Sequence, residues 1–138
     1  MVRVNLISPK SLSDQHLIAE YDEILMLVSH ARKHTLIREA PERYCLGKGH
    51  INFFKDKLKY LKKRHEELKK EMRKRGFKAS KTVSLKNFPK EMLNAWKPCS
   101  KDKEIIRKRI AWKLRKKPKF YRYYSKHREL KFFIKLLG

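Results

Sequence analysis

Apolar residues recur at helical spacing in three long segments of this chain, and its few glycines and prolines lie between these segments. The stripe of the first segment consists of Leu17, Tyr21, Ile24 and Val28. This i, i+4, i+7, i+11 spacing predicts a helix with one buried face, and no segment alternates convincingly at the period of two that is typical of strands. The sequence therefore predicts an all-α fold, a compact single-domain bundle of three main helices with an extended N-terminus and an aromatic, basic C-terminal segment.

Local capping signals set the expected ends of the first two helices. The first should begin near Asp14, an N-cap candidate, and run to about Lys33. The second should begin after the turn at residues 46–50 and end at Gly76, which suits a left-handed C-terminal cap. Its predicted core face consists of Ile51, Phe54, Leu58, Leu61, Leu68 and Met72.

The third main helix is expected over residues 101–117. Ser100 is its N-cap candidate and Pro118 follows its end. Its apolar stripe consists of Ile106, Ile110 and Leu114. A short helical turn is also predicted over residues 89–96, because proline suits the first helical position.

Positive charge is concentrated in the last two thirds of the 138 residues. The chain has 38 Lys and Arg against 14 Asp and Glu, a formal charge of +24. Residues 1–50 hold 7 basic and 6 acidic side chains, residues 51–100 hold 16 and 5, and residues 101–138 hold 15 and 3. An excess of one sign over so long a stretch favours a polyanionic partner, and nucleic acid is the leading candidate. An anionic membrane surface fits less well, because no helix shows the broad apolar face that interfacial insertion needs.

Two further features of the sequence indicate where in the cell the protein is located. No run approaches the roughly 18 apolar residues of a membrane span, and residues 1–16 lack the apolar region of a signal peptide. Cys45 and Cys99 can form neither a disulfide scaffold nor a paired zinc motif. We therefore expect an intracellular protein without a membrane partner.

Two groups of polar side chains accompany the predicted helices. His16, Glu20 and Glu23 fall within about a 60° arc of the first helix, which leaves a solvated flank and a functional cluster both open. A metal site is the weakest interpretation, because no other helix offers a matching Glu-x-x-His pair. In the third helix, a cationic ridge for phosphates adjoins the apolar stripe; it consists of Arg109, Lys113 and Lys116.

An aromatic, basic segment follows the third helix at residues 118–124. Interleaved aromatic rings and cations can stack on bases and neutralise phosphates together. The same rings can instead fold back into the core, and for Tyr123 and Tyr124 the sequence leaves both alternatives open.

Several separated segments together resemble one known family. They are Arg3-Val4-Asn5-Leu6, Asp14-Gln15-His16-Leu17, Ala19-Glu20-Tyr21 with Glu23, Leu46-Gly47, Gly49-His50, Phe53-Phe54, Asp56-Lys57-Leu58, Lys74-Arg75-Gly76-Phe77 and Tyr121-Arg122-Tyr123-Tyr124. In order and spacing they resemble the pyrimidine-dimer DNA glycosylases of the phage endonuclease V type. The resemblance covers nearly residues 1–125, which would form the glycosylase and lyase domain. Residues 126–138 look like an added tail, which could form a contact with a partner but which we expect to dock on the same domain as a short helix.

The resemblance implies a bifunctional DNA repair enzyme that needs no metal or cofactor. Such an enzyme cuts the glycosidic bond of the 5′ pyrimidine in a dimer and then nicks the backbone by β-elimination through a Schiff base. The nucleophile would be the α-amine of Val2, freed by removal of Met1, and Glu23 matches the family's essential carboxylate. A terminal amine suits this role because, with a pKa of roughly 7.8, about 14% of it is neutral at pH 7, against about 0.04% of an ordinary lysine.

The same resemblance assigns a DNA-binding set and a substrate. The DNA-binding residues would be Arg3, Gln15, His16, Arg109, Lys113, Phe120, Tyr121 and Arg122. The expected partner is double-stranded DNA containing pyrimidine dimers or abasic sites, bound by a monomer. The chain departs from the family's most studied members at Asp22 and Met26, where they have arginines, and at Phe120, where they have tryptophan. These departures predict fewer phosphate contacts on the first helix and an altered range of lesions.

Two other classes of function remain compatible with the charge and the helices. One is a non-enzymatic basic protein, architectural or ribosome-associated. The other, which is weaker, is a metal-dependent nuclease. The pair formed by Val2 and Glu23 separates the repair enzyme from the basic protein, which does not need a free amine beside a carboxylate. Activity that disappears with a chelator would favour the nuclease.

Overall fold

The computed structural model describes residues 3–35 and 40–138. Within these ranges the helices are α1 (Asp14–Lys33), α2 (His50–Phe54), α3 (Leu58–Lys74), α4 (Ser100–Lys116) and α5 (Leu130–Leu137). A two-stranded antiparallel sheet pairs β1 (Arg122–Tyr123) with β2 (Lys126–His127), and short 3₁₀ turns occur at Pro9–Ser11, Gly47–Gly49 and Lys90–Met92. Close backbone approaches between helices join mainly α1 to α3 and α4 to α5. The mostly helical class is confirmed, with a small hairpin in addition.

Helix α1 has the predicted span but a different cap. Its expected apolar stripe is buried, which confirms the inward face. The N-cap is Ser13 and not Asp14, because the Ser13 side chain accepts the hydrogen bond from the backbone N–H of His16 and so closes the first turn. Asp14 is the first helical residue, and its carboxylate is left for other partners.

We expected a single helix over residues 51–76, but this part of the chain forms two helices, α2 and α3. The chain breaks at residues 55–57, where the backbone of Lys57 leaves the helical conformation (φ −123°, ψ 40°) and forms an isolated bridge with Leu93. Periodicity could not reveal this break, since Phe54 and Leu58 keep the i, i+4 spacing across it and both are buried. The predicted end is confirmed: Gly76 has a φ of +88° directly after α3, where a glycine is favoured.

The third long helix, α4, begins and ends one residue earlier than expected. Its N-cap is Cys99, whose backbone N–H donates to the Asp102 carboxylate at 2.9 Å, so Ser100 is inside the helix. The predicted stripe is buried, which confirms the inward face. The expected turn over residues 89–96 is shorter than predicted, since only Lys90–Met92 is helical.

The hairpin was not predicted, because strands of two residues are too short to show alternation. Its turn residues, Tyr124 and Ser125, both have positive φ angles, the arrangement of a type I′ turn. The Asp14 carboxylate accepts hydrogen bonds from both of their backbone N–H groups, at 3.1 and 2.7 Å. After the hairpin, α5 packs on α4 and buries Phe133 and Leu137. The division of the chain at residue 125 stays a prediction.

The N-terminal segment crosses the domain in a non-helical conformation. The backbone N–H of Val4 donates to Nε2 of His50 at 2.9 Å, and the Tyr44 hydroxyl donates to the Val4 carbonyl at 2.9 Å. The other ring nitrogen of His50 lies 2.8 Å from the Cys45 carbonyl, so Nδ1 carries the proton and Nε2 accepts. The chain then turns sharply at Leu6, which has a φ of +58°. These contacts fix the segment that leads to the candidate site.

No helix within the described ranges combines the length and the apolar character that a membrane span requires.

Candidate active site

A narrow cleft of about 50 Å³ lies between the N-terminal segment, α1 and α4. Its lining consists of Arg3, Asn5, His16, Ala19, Glu23, Ile106, Arg109, Ile110 and Lys113. Five residues of the predicted site are among them, namely Arg3, His16, Glu23, Arg109 and Lys113. Three elements that are distant in sequence thus bring these five side chains together.

Glu23 holds the N-terminal segment at the cleft. Its Oε2 accepts a hydrogen bond from the backbone N–H of Arg3 at 3.0 Å. Burial raises the pKa of Glu23, although the hydrogen bond from Arg3 and the charge of Lys113 act in the opposite direction. A carboxyl group whose pKa is raised is suited to accept and return a proton closer to neutral pH.

The predicted nucleophile, Val2, lies outside the described residues, as does Met1. The first described residue is Arg3, and its amide nitrogen belongs to the peptide bond that joins it to Val2. Glu23 therefore contacts the peptide unit next to the predicted nucleophile.

His16 is held on two sides within the cleft. Its Nδ1 lies 3.0 Å from the Ser13 hydroxyl, and its ring stacks on Tyr121 with centroids 4.9 Å apart. Burial lowers the pKa of His16 to about 4, and the charge of Lys113 contributes to the shift. The ring is therefore neutral at physiological pH, and it contributes hydrogen-bonding groups but no positive charge to the cleft.

Among the described residues that line the cleft, three are cations, Arg3, Arg109 and Lys113, and one is a carboxylate, Glu23. Burial lowers the pKa of Lys113, and the charges of Arg109 and Arg3 lower it further. The Nε atom of Arg109 is shielded from solvent and has no hydrogen-bond partner among residues 3–35 and 40–138. A buried donor of this kind calls for a partner, and an anion at the mouth of the cleft would supply one.

Gln15 organises the aromatic segment. Its Nε2 donates to the Phe120 carbonyl at 2.9 Å, and its Oε1 accepts from the backbone N–H of Arg122 at 3.0 Å. The residue between them, Tyr121, is only 7% exposed because it packs on His16 and Phe133. Phe120, in contrast, is 47% exposed, and Arg122 is also on the surface. Of the predicted aromatic contacts, Phe120 is therefore the one that presents its ring to solvent.

The two tyrosines of the hairpin, Tyr123 in β1 and Tyr124 in the turn, are covered to different extents. The guanidinium of Arg75 lies 4.4 Å from the Tyr123 ring centroid and 5.2 Å from that of Tyr124. The Tyr123 hydroxyl donates to the Lys10 carbonyl at 2.9 Å, whereas Tyr124 is exposed. The Tyr123 ring is therefore packed on the domain, and that of Tyr124 is only partly covered.

Glu20 does not join the cluster that its spacing suggested. It is fully buried and forms two hydrogen bonds with Arg64 of α3, at 2.7 and 3.0 Å. A sequence signal existed for this ion pair, because the apolar stripe of α3 skips the turn between Leu61 and Leu68, where Arg64 and His65 lie. His50 belongs to the Gly49-His50 segment of the resemblance, but no local pattern indicated that His50 and Tyr44 anchor the N-terminal segment.

Two of the departures noted in the sequence lie on the surface of α1. Asp22 and Met26 are both exposed. Among the residues that the structure describes, no group of three or more His, Cys, Asp or Glu side chains is arranged to hold a metal ion.

Comparison with known families identifies a match that covers the N-terminal part of the chain. The sequence profile of the family described as pyrimidine dimer DNA glycosylase matches residues 1–85. The match spans more than half of the chain, from the N-terminal segment through α3, and it includes Glu23. Arg109 and Lys113 lie beyond it, on the helix that closes the other side of the cleft.

Proposed function

This chain belongs to the pyrimidine dimer DNA glycosylase family, and from that premise we propose that it excises pyrimidine dimers from double-stranded DNA and then cuts the abasic site as a lyase. The family implies DNA glycosylase activity on a DNA substrate. The lyase step, the Schiff base and the roles of individual residues are the further content of the proposal.

One observation carries the proposal: Glu23 accepts a hydrogen bond from the backbone N–H of Arg3 at 3.0 Å. The peptide unit bound in this way adjoins Val2, whose α-amine is the proposed nucleophile. Covalent catalysis needs a nucleophile and a proton-transfer group within reach of the same reacting atoms. A carboxylate anchored one peptide unit from the amine supports that arrangement.

The first chemical stage replaces the base by the amine. The neutral Val2 amine attacks C1′ of the 5′ pyrimidine nucleotide, the N–C1′ bond forms, and the glycosidic bond breaks. The departing base takes up the proton that the attacking nitrogen loses. Glu23 in its protonated form protonates O4′, so the sugar ring opens and an imine joins C1′ to the amine.

The second stage cuts the strand. Glu23, now ionised, removes a proton from C2′, and the protonated imine accepts the electron pair, which gives an enamine. This pair then forms a C2′=C3′ double bond as the C3′–O bond breaks and the 3′ phosphate leaves with the bonding electrons. Water then hydrolyses the imine and releases the enzyme. A carboxyl group whose pKa is raised by burial suits both directions of proton transfer.

The cations of the cleft hold the DNA backbone in this proposal. Arg109 offers a buried Nε donor, and Arg3 and Lys113 add charge around Glu23. The cleft of about 50 Å³ has room for only one or two water molecules, so the sugar approaches its mouth while the damaged step is opened.

The remaining predicted contacts divide into two roles. Phe120 and Arg122 are exposed and contact DNA directly. The role of the other three, Gln15, Tyr121 and His16, is to hold the aromatic segment in position. Their polar groups or rings contact one another and that segment. The exposed Asp22 repels phosphates, so preference for the lesion depends mainly on the ease with which a dimer-containing duplex bends.

Borohydride trapping tests the nucleophile. Protein with a free Val2 amine, verified by mass, is mixed with abasic-site duplex and reduced, and the adduct is mapped by peptide mass spectrometry. We expect a covalent adduct on the Val2 nitrogen and none with protein that retains Met1. An adduct on a lysine, or equal trapping by both forms, would contradict the proposed nucleophile. Absence of any adduct would favour a non-enzymatic DNA-binding protein.

A further inference from the structure

Trp112 is an exposed tryptophan flanked by cations. Its side chain is 45% exposed on α4. The guanidinium of Arg109 lies 4.5 Å from the ring centroid, and Nζ of Lys116 lies 4.0 Å from it. The other tryptophan, Trp96, packs instead among aromatic rings that include Phe53 and Phe54.

The Trp112 ring lies beside the candidate active site. Arg109 lines the cleft and also lies against the ring, so one guanidinium connects the two. Lys113, the next residue along α4, lines the cleft as well. DNA whose phosphates contact Arg109 and Lys113 would therefore pass within reach of Trp112.

Core packing does not account for this side chain. The inward face of α4 consists of Ile106, Ile110 and Leu114, and Trp112 lies outside that stripe. An exposed aromatic ring between cations is instead typical of surfaces that stack a base and neutralise the adjacent phosphates.

We infer that Trp112 forms a stacking subsite for a nucleobase left unpaired at the damaged step. In the free protein Arg109 and Lys116 cover the ring. When DNA binds, they move to the flanking phosphates, because a charge-assisted hydrogen bond is stronger than an exposed cation–π contact. The ring face then becomes available to the base. This inference rests on the proposed function, since a dimer or an abasic site is what leaves a base without its partner.

Fluorescence gives a direct test, because Trp112 is the only tryptophan left in Trp96→Phe. The protein is titrated to saturation with a duplex containing a tetrahydrofuran abasic analogue and with an intact duplex of the same sequence. Stacking predicts stronger quenching of Trp112 by the abasic duplex. Equal quenching by the two duplexes would overturn the inference. If Trp96→Phe does not fold, the difference between wild-type and Trp112→Phe spectra gives the same comparison.

Affinity gives a second test with a matched control. Trp112→Leu keeps an apolar side chain but removes the aromatic face, and we expect about five- to tenfold weaker binding to the abasic duplex, with a smaller loss for the intact duplex. Ile105→Ala is the control, because Ile105 is also exposed and lies seven residues earlier on the same face of α4. Equal losses for both variants, or for both duplexes, would refute the stacking subsite. Without DNA, the fluorescence of Trp112 should not depend on protein concentration. A dependence would mean that Trp112 contacts a second copy of the protein, and it would refute the stacking subsite.

Borohydride trapping by the wild-type protein separates this inference from the proposed function. Trapping without selective quenching means that only the stacking subsite is wrong. Selective quenching without trapping means that the lyase proposal is wrong while Trp112 still stacks on an unpaired base.

Discussion

At the scale of single residues, burial favours the neutral forms of Glu23 and His16. It raises the pKa of the carboxyl group and lowers that of the imidazole to about 4. Lys113 favours the ionised form of Glu23 and the neutral form of His16, since it attracts an anion and repels a second cation. The same cleft therefore contains an acid suited to proton exchange and a histidine that stays uncharged.

Replacing Glu23 with Gln should separate chemistry from binding. The amide oxygen of glutamine can still accept the hydrogen bond from Arg3, but the side chain no longer transfers a proton. We expect strand nicking to fall by at least about a hundredfold, with affinity for dimer-containing duplex nearly unchanged. Nicking is followed by gel assay and binding by fluorescence anisotropy.

The control for Glu23→Gln is Asp22→Asn, which alters the exposed neighbouring carboxylate. Its nicking activity should be at least that of wild type. Loss of DNA binding in Glu23→Gln would contradict the assignment.

His16 should make stability depend on pH. Its pKa is about 4 in the folded protein and near 6.5 when unfolded, so the unfolded state binds more protons between these values. The free energy of unfolding should therefore fall as pH falls from about 6.5 to 4, by roughly 2 to 3 kcal/mol from this residue.

Urea unfolding at pH 7 and pH 4.5 measures this dependence. His16→Gln should reduce it, although His50 and His65, whose pKa values are also lowered by burial, still contribute. The exposed His34→Gln serves as the comparison. An unchanged slope in His16→Gln would count against a depressed pKa.

At the scale of secondary structure, α1 organises its surroundings on several sides. At its N-terminus, Asp14 binds the hairpin turn and forms an ion pair with Arg75 at 3.0 Å. In its middle, Glu20 pairs with Arg64 of α3, while Glu23 faces the cleft. One helix thus positions the N-terminal segment, α3 and the hairpin relative to one another.

The hairpin turn predicts a stabilising substitution. Ser125 has a φ of +67°, in the left-handed region that is unfavourable for residues other than glycine. Ser125→Gly should raise the free energy of unfolding by about 1 kcal/mol. Chemical denaturation measures the change, and Ser125→Ala, which keeps a Cβ atom, should show no gain. Equal effects of the two substitutions would show that backbone strain is not the cause.

At the scale of the whole molecule, the chain has a net charge of +24, whereas the cleft is small, with a volume of about 50 Å³. The excess lies in residues 51–138, which include α3, α4 and the aromatic segment. Such a field attracts DNA over a distance and orients it, while in the proposed function the few polar groups of the cleft carry out the chemistry.

Salt dependence tests this electrostatic picture. If about six phosphates are contacted, the logarithm of the association constant should fall with the logarithm of salt concentration at a slope near −5. Anisotropy titrations between low and moderate salt measure it on intact and on damaged duplex. A slope near zero would refute phosphate contact as the main source of affinity.

The sequence alone determined the features that depend on local spacing and composition. The inward stripes of α1 and α4, the left-handed end at Gly76 and the basic excess follow from side chains a few residues apart or from simple counts. The family resemblance also selected Glu23 and Arg109 in advance, and the structure places both in one cleft. The break before Leu58 escaped detection because the apolar spacing continues across it.

Only the tertiary structure decided how polar groups are paired and which of them are charged. Glu20 binds Arg64, 44 residues away, and Asp14 binds the turn at Ser125, 111 residues away. His16 is neutral because other elements of the fold cover it, and not because of its neighbours in sequence. Desolvation and hydrogen bonding depend on what surrounds a group in space, and periodicity along one chain segment carries no information about that.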